Sequence, residues 1–213
     1  ARINMESIYL FFSGYNSHES YWDDAGKYKT NLVKNLKKSK NNKIHIIDNT
    51  DSNYNGGQDV EEFIHNLHHQ LLALYGDQFQ LVITSHSLGG VYGLMYSFLY
   101  PNHIKKSILL DIVLPNTENI AAITNDTDLE VKNRANINMA LIKMQTEPDK
   151  LVQPNIIYTI FHNELNPNIA NGRELLEMLT SKNEKSSYKL LNNGHMIHWK
   201  RPDLIKLELV NLD

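Results

Sequence analysis

The chain is 213 residues long, a size that one compact domain fills and that buries a core without disulfides or a structural metal. It has no cysteine, which excludes a disulfide framework, a thiolate zinc site and a cysteine nucleophile, so any nucleophilic chemistry must use another side chain. The formal charge is −3 and the basic residues are scattered apart from Lys34, Lys37, Lys38, Lys40 and Lys43, a run that reads as a solvated helix face, so nothing points to nucleic acid as a partner.

Residues 1–7 are mixed and polar, and the first apolar run, Ile8 to Phe12, is too brief for a secretory h-region or a membrane span. The expectation is a cytoplasmic protein without stable membrane insertion. Strand-length apolar runs follow at intervals: Ser7 to Phe12, Lys43 to Ile47, Gln80 to Thr84, Ser107 to Leu110, Asn155 to Phe161 and Tyr188 to Leu191. Between them the pattern predicts helices over Asp24 to Ser39, Asp59 to Leu74, Leu88 to Tyr100, Asn171 to Lys182 and Pro202 to Leu212, with Asp59 and Pro202 suited to helix starts. Gly56-Gly57 reads as a turn, because no Walker lysine follows it. From Pro115 to Gln153 the sequence is polar and helix-like, which predicts a small lid or cap crossing above the sheet. The alternation predicts one α/β domain over residues 1–213, with a mainly parallel sheet and helices on both faces. Ligands then bind outside the carboxyl ends of the strands.

The most informative of those ends is Ser85-His86-Ser87-Leu88-Gly89-Gly90, which follows one buried strand and opens a helix. Strand, tight turn and helix in that order form a nucleophile elbow. Such a turn strains the backbone of Ser87, lifts its Oγ off the sheet and aims the Leu88 N–H and the helix N-terminus at a developing oxyanion. Neighbouring residues must be small; Gly89 and Gly90 are, while Ser85 takes the place of the first glycine in Gly-x-Ser-x-Gly with less clearance. A serine- and glycine-rich helix cap is the plainer alternative.

Downstream, Asn193-Gly194-His195-Met196-Ile197-His198-Trp199-Lys200-Arg201-Pro202-Asp203 follows the last predicted strand. This stretch resembles the "Gly-His … Arg-Pro-Asp/Glu" ending of α/β-hydrolases, whose histidine reaches the nucleophile. The resemblance makes His195 the general base, and His198 a histidine that only packs. Phe12-Ser13-Gly14-Tyr15, with Trp22, resembles the family's "His-Gly-x … Trp" loop, which implies that the Tyr15 N–H completes the oxyanion hole; Ser13 stands where histidine is frequent. The resemblance runs from Ser7 to the final helix. It implies a minimal single-domain α/β-hydrolase fold with a small helical lid, lacking the antiparallel strands that often precede the first parallel one.

An imidazole that accepts a proton from serine needs a buried acceptor on its other nitrogen. Three positions compete. The family's usual acid position matches Asn166, which carries no charge, and Glu164 lies two residues earlier. Asp111 ends the strand after the nucleophile helix in Asp111-Ile112-Val113-Leu114-Pro115, similar to small esterases and certain haloalkane dehalogenases that take their acid from that strand end, and it is the favoured candidate.

His65, His68 and His69 have metal-ligand spacing on one predicted helix, but no carboxylate completes a metalloprotease pattern, so they read as a polar helix face. No metal and no cofactor is expected. The sequence thus predicts a serine hydrolase for a small-molecule carboxylic ester or thioester, with Met139, Leu141, Ile142 and Met144 offering either an apolar acyl or alcohol pocket or simply the underside of a packed lid helix. The rival is a hydrolase-like scaffold that binds a small molecule or protein without turnover, favoured by Asn166 and Ser85.

Overall fold

β-Branched and aromatic residues in short runs suit a pleated surface covered on both faces. In the computed structural model, which describes residues 6–17, 19–166 and 169–212, those runs form strands. In chain order they are β1 (Glu6–Phe12), a short pair β2 (Asp24–Ala25) and β3 (Tyr28–Lys29), β4 (Lys43–Ile47), β5 (Phe79–His86), β6 (Ile104–Leu110), β7 (Ile157–Asn163) and β8 (Ser187–Leu191). The helices are α1 (Leu32–Lys37), α2 (Val60–Tyr75), α3 (Gly89–Leu99), α4 (Thr117–Thr124), α5 (Val131–Thr146), α6 (Ile169–Ser181), α7 (Ile197–Lys200) and α8 (Pro202–Val210). Most of the polar leader, residues 1–5, lies outside the described residues.

Six strands pair in the order β4-β1-β5-β6-β7-β8, each adjacent pair parallel. The chain steps from β1 out to β4 and then returns to the other side of β1 with β5. Strand order therefore reverses between β1 and β5, and the crevice outside their carboxyl ends is where such a sheet accepts a ligand.

Alternation along β1 feeds two cores. Ile8, Leu10 and Phe12 pack with Phe63, Ile64 and Leu67 of α2 and Val91 and Met95 of α3, while Tyr9 and Phe11 pack with Leu32, Val33 and Leu36 of α1 and Ile205 and Leu209 of α8. Each such aliphatic or aromatic side chain contributes about 1.5–3 kcal/mol when fully buried. Loss of either helix layer would expose one complete face of the sheet.

The expected starts hold at two helices. Asp59 caps α2 by accepting from the Glu61 and Glu62 N–H groups, and Pro202 occupies the first turn of α8. The expected helix over Asp24 to Ser39 is corrected to the six residues of α1. Gly26, at φ +67°, opens a two-residue loop that folds Asp24–Lys29 into a hairpin instead. The α1 start is then capped from a distance, with Asp23 Oδ1 accepting from the Val33 and Lys34 N–H groups at 2.7 and 3.1 Å.

Between β6 and β7 the chain forms α4 and α5 and no strand. On α5 the stripe Ile137, Ala140, Leu141 and Met144 joins the α2–α3 core. The expected pocket lining is corrected accordingly: Leu141 and Met144 are core residues, while Met139 and Ile142 face solvent on the opposite side of the helix. Among the described residues, no helix is long and apolar enough to cross a membrane.

Candidate active site

Ser87 follows β5 directly, at the reversal point of the sheet, and is half-buried with φ 55°. A non-glycine residue in this region is strained by about 1–3 kcal/mol unless its surroundings hold it there. They do. The Ser87 N–H donates to the Leu110 carbonyl at 3.1 Å, and the Ser87 carbonyl accepts from the Gly90 and Val113 N–H groups at 3.0 Å each. Among the described residues, the other non-glycine ones with positive φ are Asn16, Asn31, Asn55 and Asp111. Asparagine and aspartate tolerate that region; serine has no such excuse.

Helix α3 must approach β1 closely for this turn to form. A Cβ on Gly89 would lie 2.3 Å from the Phe12 carbonyl oxygen, so alanine is excluded there without backbone movement. Ser85 is fully buried and fits for a related reason: its hydroxyl faces Gly93, where a Cβ would come within 2.1 Å of Ser85 Oγ. The small residue missing at position 85 is supplied one helical turn into α3.

His195 sits in the loop after β8, behind Gly194 at φ +86°. Its Nε2 lies 2.9 Å from Ser87 Oγ and its Nδ1 lies 2.5 Å from Asp111 Oδ2. An ionised carboxylate can only accept, so Nδ1 carries the hydrogen and Nε2 is left as an acceptor for the Ser87 hydroxyl. Asp111 is buried at the end of β6, and its Oδ1 accepts from the Asn163 N–H at 3.0 Å and the Asn166 side-chain amide at 3.4 Å. His162 Nδ1 lies 3.4 Å from the same oxygen. Burial by itself would raise the Asp111 carboxyl. The hydrogen bonds from His195 and the Asn163 N–H outweigh it and hold the group below the usual carboxylate range. Glu164, the alternative acid, is exposed, and its N–H pairs with the Leu191 carbonyl at 2.8 Å. Asn166, the third position, donates its side-chain amide to Asp111.

The loop after β1 closes the other side. The Ser13 N–H donates to the Ile47 carbonyl at 3.0 Å, Tyr54 donates to the Ser13 carbonyl at 2.6 Å, and the Trp22 indole donates to Ser13 Oγ at 2.9 Å. Serine at position 13 thus anchors the loop with its hydroxyl. Tyr15 follows, with its hydroxyl donating to the Asp128 carbonyl between α4 and α5 at 3.0 Å. Leu88, buried, is the N-cap of α3, and its carbonyl accepts from the Val91 N–H at 3.1 Å.

Sequence reasoning did not single out three neighbours of this group: Tyr21, His86 and His162. His86 stood in the quoted motif, next to the serine. Tyr21 carried no signal beyond adjacency to Trp22, and His162 none beyond lying two residues before Glu164. His198 is fully buried and stacks on Tyr21 with ring centroids 4.6 Å apart. Far from this site, the polar-face reading of His65, His68 and His69 is corrected at His68, which is buried and bonds Tyr96. Helix α2 turns that position toward Phe79 and His103, so burial there follows from the helix phase.

No protein-family model and no curated protein sequence matches the chain. Solved structures do match in fold. One is MGS-MChE2, an α/β-hydrolase enzyme from a lagoon-sediment metagenome: 13% identity, TM-score 0.60, covering 95% of this chain and 88% of that one. A structure of the metagenome-derived lipolytic enzymes LipS and LipT gives 11% identity and TM-score 0.63, with 98% and 93% covered. Paleococcus ferrophilus monoacylglycerol lipase gives 14% and 0.63, with 97% and 95% covered. The chain has the α/β-hydrolase fold.

Proposed function

We propose that this chain is a serine hydrolase that cleaves a carboxylic ester or thioester through an acyl-enzyme on Ser87. The observation that carries the reading is the unbroken pair of hydrogen bonds, Ser87 Oγ to His195 Nε2 at 2.9 Å and His195 Nδ1 to Asp111 Oδ2 at 2.5 Å. In this reading Ser87 Oγ attacks the substrate carbonyl carbon while its proton passes to His195 Nε2, and Asp111 stabilises the imidazolium. Charge develops on the carbonyl oxygen, which receives hydrogen bonds from the Tyr15 and Leu88 N–H groups. Collapse breaks the C–O or C–S bond, and the leaving group departs with the proton from His195. Water then attacks the acyl-serine with His195 as base, releasing the acid and restoring the hydroxyl.

Residues 115–153 serve as a small cap in this account, joined to the oxyanion loop through Tyr15 and Asp128. Lipolytic enzymes among the structural neighbours support the ester class, although the fold also carries other chemistry: one neighbour, AqDC, cleaves the ring of the Pseudomonas quinolone signal. The rival reading, a binding scaffold without turnover, drew on Asn166 and Ser85. Asp111 and Gly93 answer both departures, one with a carboxylate and the other with clearance.

A fluorophosphonate probe tests the proposal. It should label Ser87 in the folded protein and leave Ser87→Ala unlabelled, and p-nitrophenyl esters of increasing acyl length should be hydrolysed only by the former. A folded wild-type protein that neither takes the probe nor cleaves any ester of the series would overturn the reading.

A further inference from the structure

His86 lies between the reacting serine and a buried wall of aromatic residues, and both of its ring nitrogens are engaged. Nε2 is 2.8 Å from the His195 backbone carbonyl, and Nδ1 is bonded to the Tyr21 hydroxyl. A carbonyl oxygen can only accept, so Nε2 carries the hydrogen. Complete burial pushes this imidazole down to about 3, so the ring is neutral and Nδ1 is an acceptor. Tyr21 must therefore donate to it. Gly14 packs directly against that hydroxyl, where a Cβ would lie 2.7 Å from the Tyr21 oxygen and 3.3 Å from His86 Nδ1. Tyr21 is itself fixed, since the Trp199 indole donates to its backbone carbonyl at 3.0 Å and its ring packs on Trp22, His86 and His198.

The result is a connected chain: Gly14 packed on the Tyr21 hydroxyl, the Tyr21 O–H donating to His86, and the His86 N–H donating to the His195 carbonyl. Its first member precedes Tyr15 in the oxyanion loop after β1, its third is covalently next to Ser87 after β5, and its last belongs to the base after β8. Three loops far apart in the chain are joined through two buried side chains, neither of which reaches the reacting atoms.

Taking Ser87 and His195 as the nucleophile and base proposed above, we infer that Tyr21 and His86 are positioning residues that hold the oxyanion loop, the nucleophile and the base in register with one another. They act on turnover and leave substrate binding alone.

Tyr21→Phe keeps the ring stack and removes only the hydroxyl. It should lower kcat about 10- to 100-fold, the scale on which a displacement of about 1 Å acts, with KM changed by less than about twofold. Fluorophosphonate labelling of Ser87 should slow by the same factor. In proton NMR the far-downfield resonance of the His195 Nδ1 hydrogen, shared with Asp111, should broaden or move. His86→Gln, whose side-chain amide can still donate to the His195 carbonyl, should retain most of the turnover, whereas His86→Leu should not. Folded Tyr21→Phe and His86→Leu proteins with wild-type labelling rates and an unmoved imidazole resonance would overturn the inference. If Tyr21→Phe does not fold, the contrast between His86→Gln and His86→Leu decides. An unlabelled wild-type protein would sink the hydrolase reading alone, and the resonance would still report on the register.

Discussion

Two groups of histidines sit at opposite ends of the same sheet, and they differ in what lies behind and in front of the ring. At the amino ends of β5 and β6, His68 bonds the Tyr96 hydroxyl at 2.6 Å, His65 bonds the Tyr100 hydroxyl at 2.5 Å, and His103 bonds the Phe79 carbonyl at 3.2 Å. At the carboxyl ends, His86 bonds Tyr21 in the same manner. Burial depresses both inner rings, His68 to about 4 and His86 to about 3, so each is a neutral structural group. His195 differs in two respects. It has a buried carboxylate behind it, and its side chain is 49% exposed in front, toward Ser87. In the first group the carboxylate contact is Glu61, 3.7 Å from His65 at the surface, where an ion pair contributes little. A tyrosine partner and burial make a histidine part of the scaffold; an acid behind and an open face ahead make it available for proton transfer.

The largest effect should come from removing that acid. Asp111→Asn should fold normally and reduce ester turnover by about 10⁴-fold, the scale seen when the carboxylate behind a catalytic histidine is neutralised. Glu164→Gln should stay near wild type, because Glu164 is exposed and meets Leu191 through its backbone alone. Kinetics on a chromogenic ester would check both. An inactive Glu164→Gln beside an active Asp111→Asn would reverse the assignment and remove the first half of the contrast between the two histidine groups.

The contrast also explains what could be read without coordinates. Strand runs such as Lys43–Ile47 were legible because burial on both faces leaves a local signature, and Ser87 and His195 were legible because a strained turn and a glycine-led loop are written in consecutive residues. Asp111 was legible as one of three choices only. Nothing local says that Asn166 will lend its amide to Asp111, or that Gly93 will make room for Ser85, since both compensations arise where separate elements touch. Tyr21 and His86 were out of reach for the same reason, with partners 65 and 109 positions apart along the chain. The helix expected from Asp24 failed differently. Its composition suits a helix, but Gly26 turns the chain into a hairpin, and Asp23 restarts the helix eight residues later.

The amino-end group should show itself in stability and not in turnover. His68 titrates near 6.5 when unfolded and about 4 when folded, burial being the main cause, with the neighbouring His103, His69 and His65 adding to it. Between those values the unfolded chain binds a proton that the folded chain refuses, so stability rises with pH through the interval, is complete above 6.5, and is lost as pH falls toward 4. The contribution between pH 7 and pH 5 is on the order of 1–2 kcal/mol. His68→Leu should therefore shrink the difference in urea midpoint between those two pH values, while kcat at pH 7 stays within about twofold of wild type. An unchanged pH slope would mean that His68 is not protected from protons as its burial implies.

The smallest effect should sharpen the line between the acid and its supports. Asn166 donates to Asp111 Oδ1 at 3.4 Å, the outer limit of a hydrogen bond, and the Asn163 N–H already occupies that oxygen at 3.0 Å. A neutral donor in such a position contributes about 0.5–1 kcal/mol, because the carboxylate keeps its better partners when it is removed. Asn166→Ala should therefore lower ester turnover by about 2- to 5-fold, with no change in the pH slope of stability. Combined with Asp111→Asn it should cost nothing further, since the carboxylate it serves is gone, and the two effects should be plainly non-additive. A full multiplicative loss in the double variant would mean that Asn166 acts on the substrate or on His195 directly, and the support of the imidazole would then come from two loops.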